Sequence, residues 1–200
     1  LGSLNTAATD VITVTATSVP TGADGVTFVN ALAGKTAGNV TATVSGTAAQ
    51  LALLTTAATD VLTVTVSDAH DLAQLKAIND ATAGTINLNS YAVGLSGTMA
   101  DVSAALAGTL GDTYTGTAAA TDAQTGADGV TAVNALAGKT TGNVTATLSG
   151  TAAQLGSLNT AATDVITVTA TSVPTGADGV TFVNALAGKT AGNVTATVSG

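Results

Sequence analysis

The stretch that decides the fold runs from Leu1 to Gly46, LGSLNTAATDVITVTATSVPTGADGVTFVNALAGKTAGNVTATVSG, and it returns unchanged at Leu155 to Gly200. A chain that opens and closes on the same passage reads as a window onto a tandem array. Two runs inside the passage alternate apolar and hydroxylated side chains. In Asp10 to Thr17, Ile12, Val14 and Ala16 alternate with Thr13, Thr15 and Thr17; in Asn39 to Ser45, Val40, Ala42 and Val44 alternate with Thr41, Thr43 and Ser45. A period of two carried by β-branched residues predicts strands with one apolar and one hydroxylated face.

Outward from this passage, the aspartate that opens the first run recurs at Asp60, Asp112 and Asp164, which sets a repeat of about fifty residues. The approximate copies are 1–46, 47–97, 98–150 and 151–200. An asparagine after a short apolar run recurs at Asn5, Asn30, Asn79, Asn134, Asn159 and Asn184, which halves the period to about 25. Such an asparagine can bond local backbone near a helix end, and equal positions can stack as a ladder. Each half-repeat reads as a short helix, a turn and a Thr-rich strand. Helices are predicted over Thr47–Leu54 (TAAQLALL) and His70–Asn79 (HDLAQLKAIN), where apolar side chains return on one helical face. Thr47, Thr98 and Thr151 stand as N-caps, and Asp24, Asp128 and Asp178 stand in first turns. GADGV at Gly22, Gly126 and Gly176 reads as a turn entering a helix, because it lacks the spacing of a phosphate loop. AGKT at Ala33 to Thr36 is not a Walker A motif, since Val29 stands where the upstream glycine belongs.

The fold expected is α/β: a tandem-repeat solenoid of helix-plus-strand units building one extended parallel sheet, continuous over residues 1–200. A string of small β-rich repeat domains is the alternative. Strands advance by about 4.8 Å and helices need about 8–10 Å, so a curved array and a straight one both remain open.

Composition narrows the function. Four lysines, no arginine and a net charge of −8 give no means of neutralising a run of phosphates, so nucleic acid and anionic membrane surfaces are not expected partners. No stretch approaches the roughly 20 apolar residues of a membrane span, so no membrane insertion is expected. With no cysteine, disulfides and thiolate sites are absent. No acid–base or nucleophile constellation recurs, and an enzyme is not expected. The single His70, between Asp68 and Asp71, reads as an exposed histidine at a helix start.

No cofactor is expected, with calcium the one exception weighed. Asp10, Asp60, Asp112 and Asp164 are candidate ligands, but one carboxylate per junction fits turn capping better than a cage of several oxygens. Asn39, Asn143 and Asn193 fit the N-x-T glycosylation pattern. The hydroxyl face, represented by Thr13, Thr15, Thr17, Thr41, Thr43, Thr145, Thr147, Thr167 and Thr169, is the candidate binding surface. Its regular grid would suit ice or a cell-surface polysaccharide. Tyr91 and Tyr114, in a divergent stretch that also holds Met99, His70 and Lys76, are candidates for lateral contact between chains.

LKAINDATAGTINLNSYAVGLSGT (Leu75 to Thr98), together with the NVTATVSGTAAQL and TDVITVT runs, resembles the repeats of very large tandem-repeat surface proteins of cyanobacteria and other marine bacteria, including the swimming-motility type. The resemblance implies a non-catalytic, type I-secreted protein, extracellular or at the cell surface, that self-associates into fibres, filaments or layers. It brings no catalytic residues with it. The alternative it leaves is an adhesin or an ice- or polysaccharide-binding solenoid working through the threonine face.

Overall fold

A computed structural model describes residues 4–200. In chain order the first elements are β1 (Val14–Ala16), α1 (Gly22–Ala33), β2 (Val40–Gly46), α2 (Ala48–Leu51), β3 (Val61–Val66), α3 (Leu72–Asp80) and β4 (Thr85–Asn87). There follow β5 (Leu95–Gly97), α4 (Met99–Ala105), β6 (Thr109–Leu110), β7 (Ala118–Thr125), α5 (Gly126–Ala137), β8 (Val144–Thr151), α6 (Ala152–Leu155), β9 (Val165–Ser172), α7 (Gly176–Ala187) and β10 (Val194–Thr195). The fold is α/β, and the chain divides into two compact units. One takes Leu1–Val93 and Ser103–Thr113, the other Gly94–Val102 and Tyr114–Gly200.

The first unit holds a five-stranded sheet in the order β1-β2-β3-β4-β6, and the second a sheet in the order β10-β9-β8-β7-β5. Every pairing is parallel. Within each sheet spatial order follows chain order, but β5 intervenes along the chain between the neighbours β4 and β6, and β6 between β5 and β7. In the first unit α1 packs against α2 and α2 against α3, and in the second α5 packs against α6. Helices in mutual contact cannot be separated by a sheet, so these crossovers share one face of it.

Strand alternation does what the sequence predicts. In β3, Leu62, Val64 and Val66 are buried while Val61, Thr63 and Thr65 are exposed. Val26, Val29 and Leu32, spaced three apart on α1, are buried, and α1 packs on β2, where Val40, Ala42 and Val44 face inward. Small side chains make this layer thin: Leu, Ile and Val supply most of the core, with Tyr114 its largest member.

GADGV is the first turn of the twelve-residue helices α1, α5 and α7 rather than a turn ahead of them. Gly22, Gly126 and Gly176 each open the helix at positive φ, near 65°, which a Cβ would oppose. In the other half-repeat the helix is shorter than TAAQLALL predicts. α2 and α6 are single turns, closed by a capping box between Thr47 and Gln50 and between Thr151 and Gln154. The backbone then tightens, with Leu53 N–H donating to Gln50 O and Leu54 N–H to Leu51 O, before leaving the helix. α3 starts two residues later than expected, on the capping box of Asp71 and Gln74.

Three further expectations need correction. His70 is buried, not exposed, in the connection between β3 and the Asp71 N-cap of α3. Asp112 does not open a strand: the run after it becomes β7 only at Ala118, and Asp112 caps its own neighbour, Thr113 N–H to Oδ1 at 2.7 Å. The residue structurally equivalent to Asp10, Asp60 and Asp164 is Tyr114. Its carbonyl accepts Thr141 N–H as theirs accept Ala37, Ala83 and Ala191 N–H. Finally, Asp10 to Thr17 forms a strand only over Val14–Ala16, although the identical passage at Asp164 gives the full-length β9. β9 is hydrogen-bonded on both sides, β1 on one.

Candidate functional site

What recurs in both units is a set of side chains that bond the backbone of the neighbouring half-repeat. Asp60 is buried at the end of the TTAATD turn. Its Oδ2 accepts Ala57 N–H at 2.8 Å and closes the turn, while its Oδ1 accepts Val40 N–H at 2.6 Å at the start of the preceding strand, β2. Asp164 repeats this with Ala161 at 2.8 Å and Val144 at 2.7 Å. Both oxygens of each carboxylate are thus held by backbone donors. Asp10 is exposed and closes its own turn through Ala7 N–H at 2.9 Å.

The second recurring group is a buried threonine after each of α1, α3, α5 and α7. Thr82 Oγ1 accepts Leu62 N–H and Gly84 N–H, both at 2.8 Å, and lies 3.0 Å from Asp60 O and 3.1 Å from Leu62 O, to which it can donate. Thr36 and Thr190 repeat the whole arrangement around Ile12 and Ile166. Thr140 repeats it around Tyr114 O and Gly116 O. Two residues on, a glycine is required. A Cβ on Gly84 would collide with the Leu62 carbonyl, and one on Gly38, Gly142 or Gly192 with the backbone of Ile12, Gly116 or Ile166.

The third is the repeating asparagine. Asn30 donates to Leu53 O at 2.9 Å and accepts Thr55 N–H at 2.8 Å; Asn134 donates to Ser157 O at 2.9 Å and accepts Asn159 N–H at 2.7 Å. Asn79 donates to Ala104 O at 2.7 Å. These bonds reach 23 to 25 residues along the chain. They are neither local caps nor an Asn-on-Asn ladder: each amide fits the backbone of the next half-repeat where it leaves its helix.

The hydroxyl face is displayed as its sequence predicts. Thr13, Thr15, Thr17, Thr43, Thr145, Thr147, Thr167 and Thr169 are exposed and Thr41 is half-buried. Parallel register aligns Thr15 with Thr41, Thr43 with Thr63, Ser45 with Thr65, Thr147 with Thr167 and Ser149 with Thr169. Rows of hydroxyls therefore cross the strands at the strand spacing, about 4.8 Å. Val61 and Val165 interrupt them. Of the two tyrosines, Tyr91 is half-buried, its hydroxyl accepting Leu88 N–H at 3.1 Å. Tyr114 is buried, which removes it as a lateral contact, and burial pushes its phenol up to about 12.

Matching clefts of about 340 and 280 Å³ lie at the helix C-termini of the two units, one beside Asn134, Thr140 and Asp164, the other beside Asn30, Thr36 and Asp60. These polar side chains are the clamps already described, with their hydrogen bonds directed to backbone. Among the described residues no group of three or more metal-ligating side chains converges, and no helix is long and apolar enough to cross a membrane. No protein-family model, curated protein or solved structure matches the chain.

His70 adds a pH dependence that its sequence position alone conceals. Burial holds its pKa below the usual 6.5, against the opposing pull of Asp71 and Asp68. The neutral imidazole is favoured in the fold, so its contribution to stability is present above pH 6.5 and is lost as pH falls through that value toward the lower folded pKa. The denaturation midpoint should fall between about pH 7.5 and 5.5, and His70→Gln should flatten that dependence. An equal slope in both proteins would assign it to other groups.

Proposed function

We propose that this protein is a non-catalytic structural repeat protein, a solenoid whose units set length and stacking in a fibre, filament or surface layer outside the cell. The observation that carries the proposal is the recurrence, in both units, of the same clamps from side chain to neighbouring backbone: Asp60 and Asp164, Thr82 and Thr190, Asn30 and Asn134. A clamp that grips backbone joins any repeat to any other of the same geometry, which suits an array with nearest-neighbour stability. The resemblance to giant bacterial surface proteins supports the extracellular setting. Electron microscopy of the purified chain and of source cells tests this. Elongated particles or fibres with an axial period matching one fifty-residue repeat are expected; compact particles without a period would refute it.

The open threonine face favours a second reading, a binding module for ice or polysaccharide. All-parallel sheets usually have both faces covered, whereas here Thr63, Thr65, Thr167 and Thr169 stay exposed. Thermal hysteresis and glycan-array binding that vanish on replacing Thr147 and Thr167 by Lys would establish it.

A further inference from the structure

β2, β3, β8 and β9 are each hydrogen-bonded to a strand on both sides, so what they show on their outward face does not depend on a sheet edge. Every outward residue of these four strands is Thr, Ser or Val, from Thr41 in β2 to Thr171 in β9. The chain carries twelve Asp and four Lys, and none of them stands there. Surfaces that face water carry roughly 25–35% charged side chains. Here a chain of net charge −8 keeps one face of each sheet free of charge.

The apolar side chains on this face are placed alike in the two units. Val61 and Val165 open β3 and β9, are 43% and 40% exposed, and lie beside Thr41 and Thr145 of the neighbouring strand. A strand added at either edge would widen the sheet and leave the face as open as before. All-parallel sheets are normally covered on both faces.

We infer that the threonine face is a lateral contact between chains, and that its occupant is the same face of a second copy. Charge selects that occupant. Two copies of net charge −8 meet with least repulsion through the faces that hold no Asp. A hydroxyl both donates and accepts, so the face complements itself without a second kind of surface. Spacing selects the same occupant. The rows to which Thr43–Thr63 and Thr147–Thr167 belong repeat once per strand, at about 4.8 Å. A second copy has that period by identity and stays in step over any number of strands, whereas a ligand lattice of another period drifts out of step. Both partners offer the same surface, so the contact is isologous. One sheet offers on the order of 400 Å² against the about 800 Å² per partner of a standard interface, so single sheets pair weakly and sheets in series pair strongly.

The inference rests on the structural reading above, to which it adds the lateral surface, and it can fail separately. Sedimentation equilibrium of the 200-residue chain up to the millimolar range should show reversible self-association. Thr63 and Thr147 are exposed on the central strand of each sheet, so a charge placed there leaves the core untouched. The double variant Thr63→Lys with Thr147→Lys should be monomeric throughout that range, as should Thr63→Glu with Thr147→Glu. An equimolar mixture of the two should associate again, more tightly at low salt, because opposite charges then face each other. A wild-type chain that stays monomeric overturns the inference. So does association that survives both double variants, or a mixture that stays monomeric while the wild type associates. A monomeric chain that shows thermal hysteresis or is retained on polysaccharide also overturns it, and gives the face to that ligand. Hydrogen exchange at the Val40 and Val144 amides separates the two proposals. Slow exchange in a monomeric chain means the internal stacking stands and only the lateral contact fails; fast exchange there removes the structural reading itself.

Discussion

Replacing Asp60 by Ala should destabilise the first unit by about 3 kcal/mol or more, the largest effect of any single side chain outside the apolar core. The carboxylate accepts two backbone N–H groups, from Val40 and Ala57, in a buried setting. Charge-assisted bonds of this kind contribute about 1.5–3 kcal/mol each, and their loss leaves buried donors without water to replace the acceptor. Asp164→Ala should act alike in the second unit, through Val144 and Ala161. Asp10→Ala supplies the internal contrast. Same residue type, same turn, but an exposed carboxylate with a single turn bond, so the cost should stay below about 1 kcal/mol. Urea denaturation followed by circular dichroism measures all three. Equal losses at Asp10 and Asp60 would show that turn closure, not the bond to the preceding strand, is what matters.

Thr82→Val should cost about 2–4 kcal/mol although it changes neither size nor shape, because two buried backbone donors, Leu62 and Gly84 N–H, lose their acceptor together. Thr82→Ser should recover most of the loss. At Thr63, next to Leu62 in the chain but on the exposed face, the same Thr→Val change should fall within about 0.5 kcal/mol of wild type. Near-equal values at Thr82 and Thr63 would mean that the buried hydroxyl is replaceable by water.

That pair of threonines shows what sequence could and could not yield. The period of two made Thr63 and its row legible as an outward face, and the Val/Ile/Leu partners as a core, because alternation is imposed by the pleat itself. Thr82, Thr140 and Thr190 follow a Gly-Lys or helix-end segment with no period at all, and the one local mark of a threonine that accepts two amides is the glycine two residues on, a signal that pattern reading passed over. The recurring Asn30 and Asn134 were visible as a spacing, yet their partners lie 23 to 25 residues away, beyond any local pattern. Asp112 misled for the opposite reason: it matches Asp60 in type and approximate spacing, while the backbone position belongs to Tyr114, which shares no chemistry with aspartate. His70 looked exposed because polar neighbours surround it in sequence; Asp68 does stay at the surface, accepting Ala48 N–H at 2.6 Å, while His70 alone of residues 67–70 is buried.

The clamps recognise peptide groups, which every residue supplies alike, and seldom another side chain. Loss or duplication of a whole repeat in the gene would therefore leave every remaining junction intact, with no compensating substitution needed on either side. Long stretches of identical amino-acid sequence, such as residues 1–46 and 155–200, are what such unequal exchange would leave. Adding or removing one repeat would accordingly change length without changing what each clamp grips.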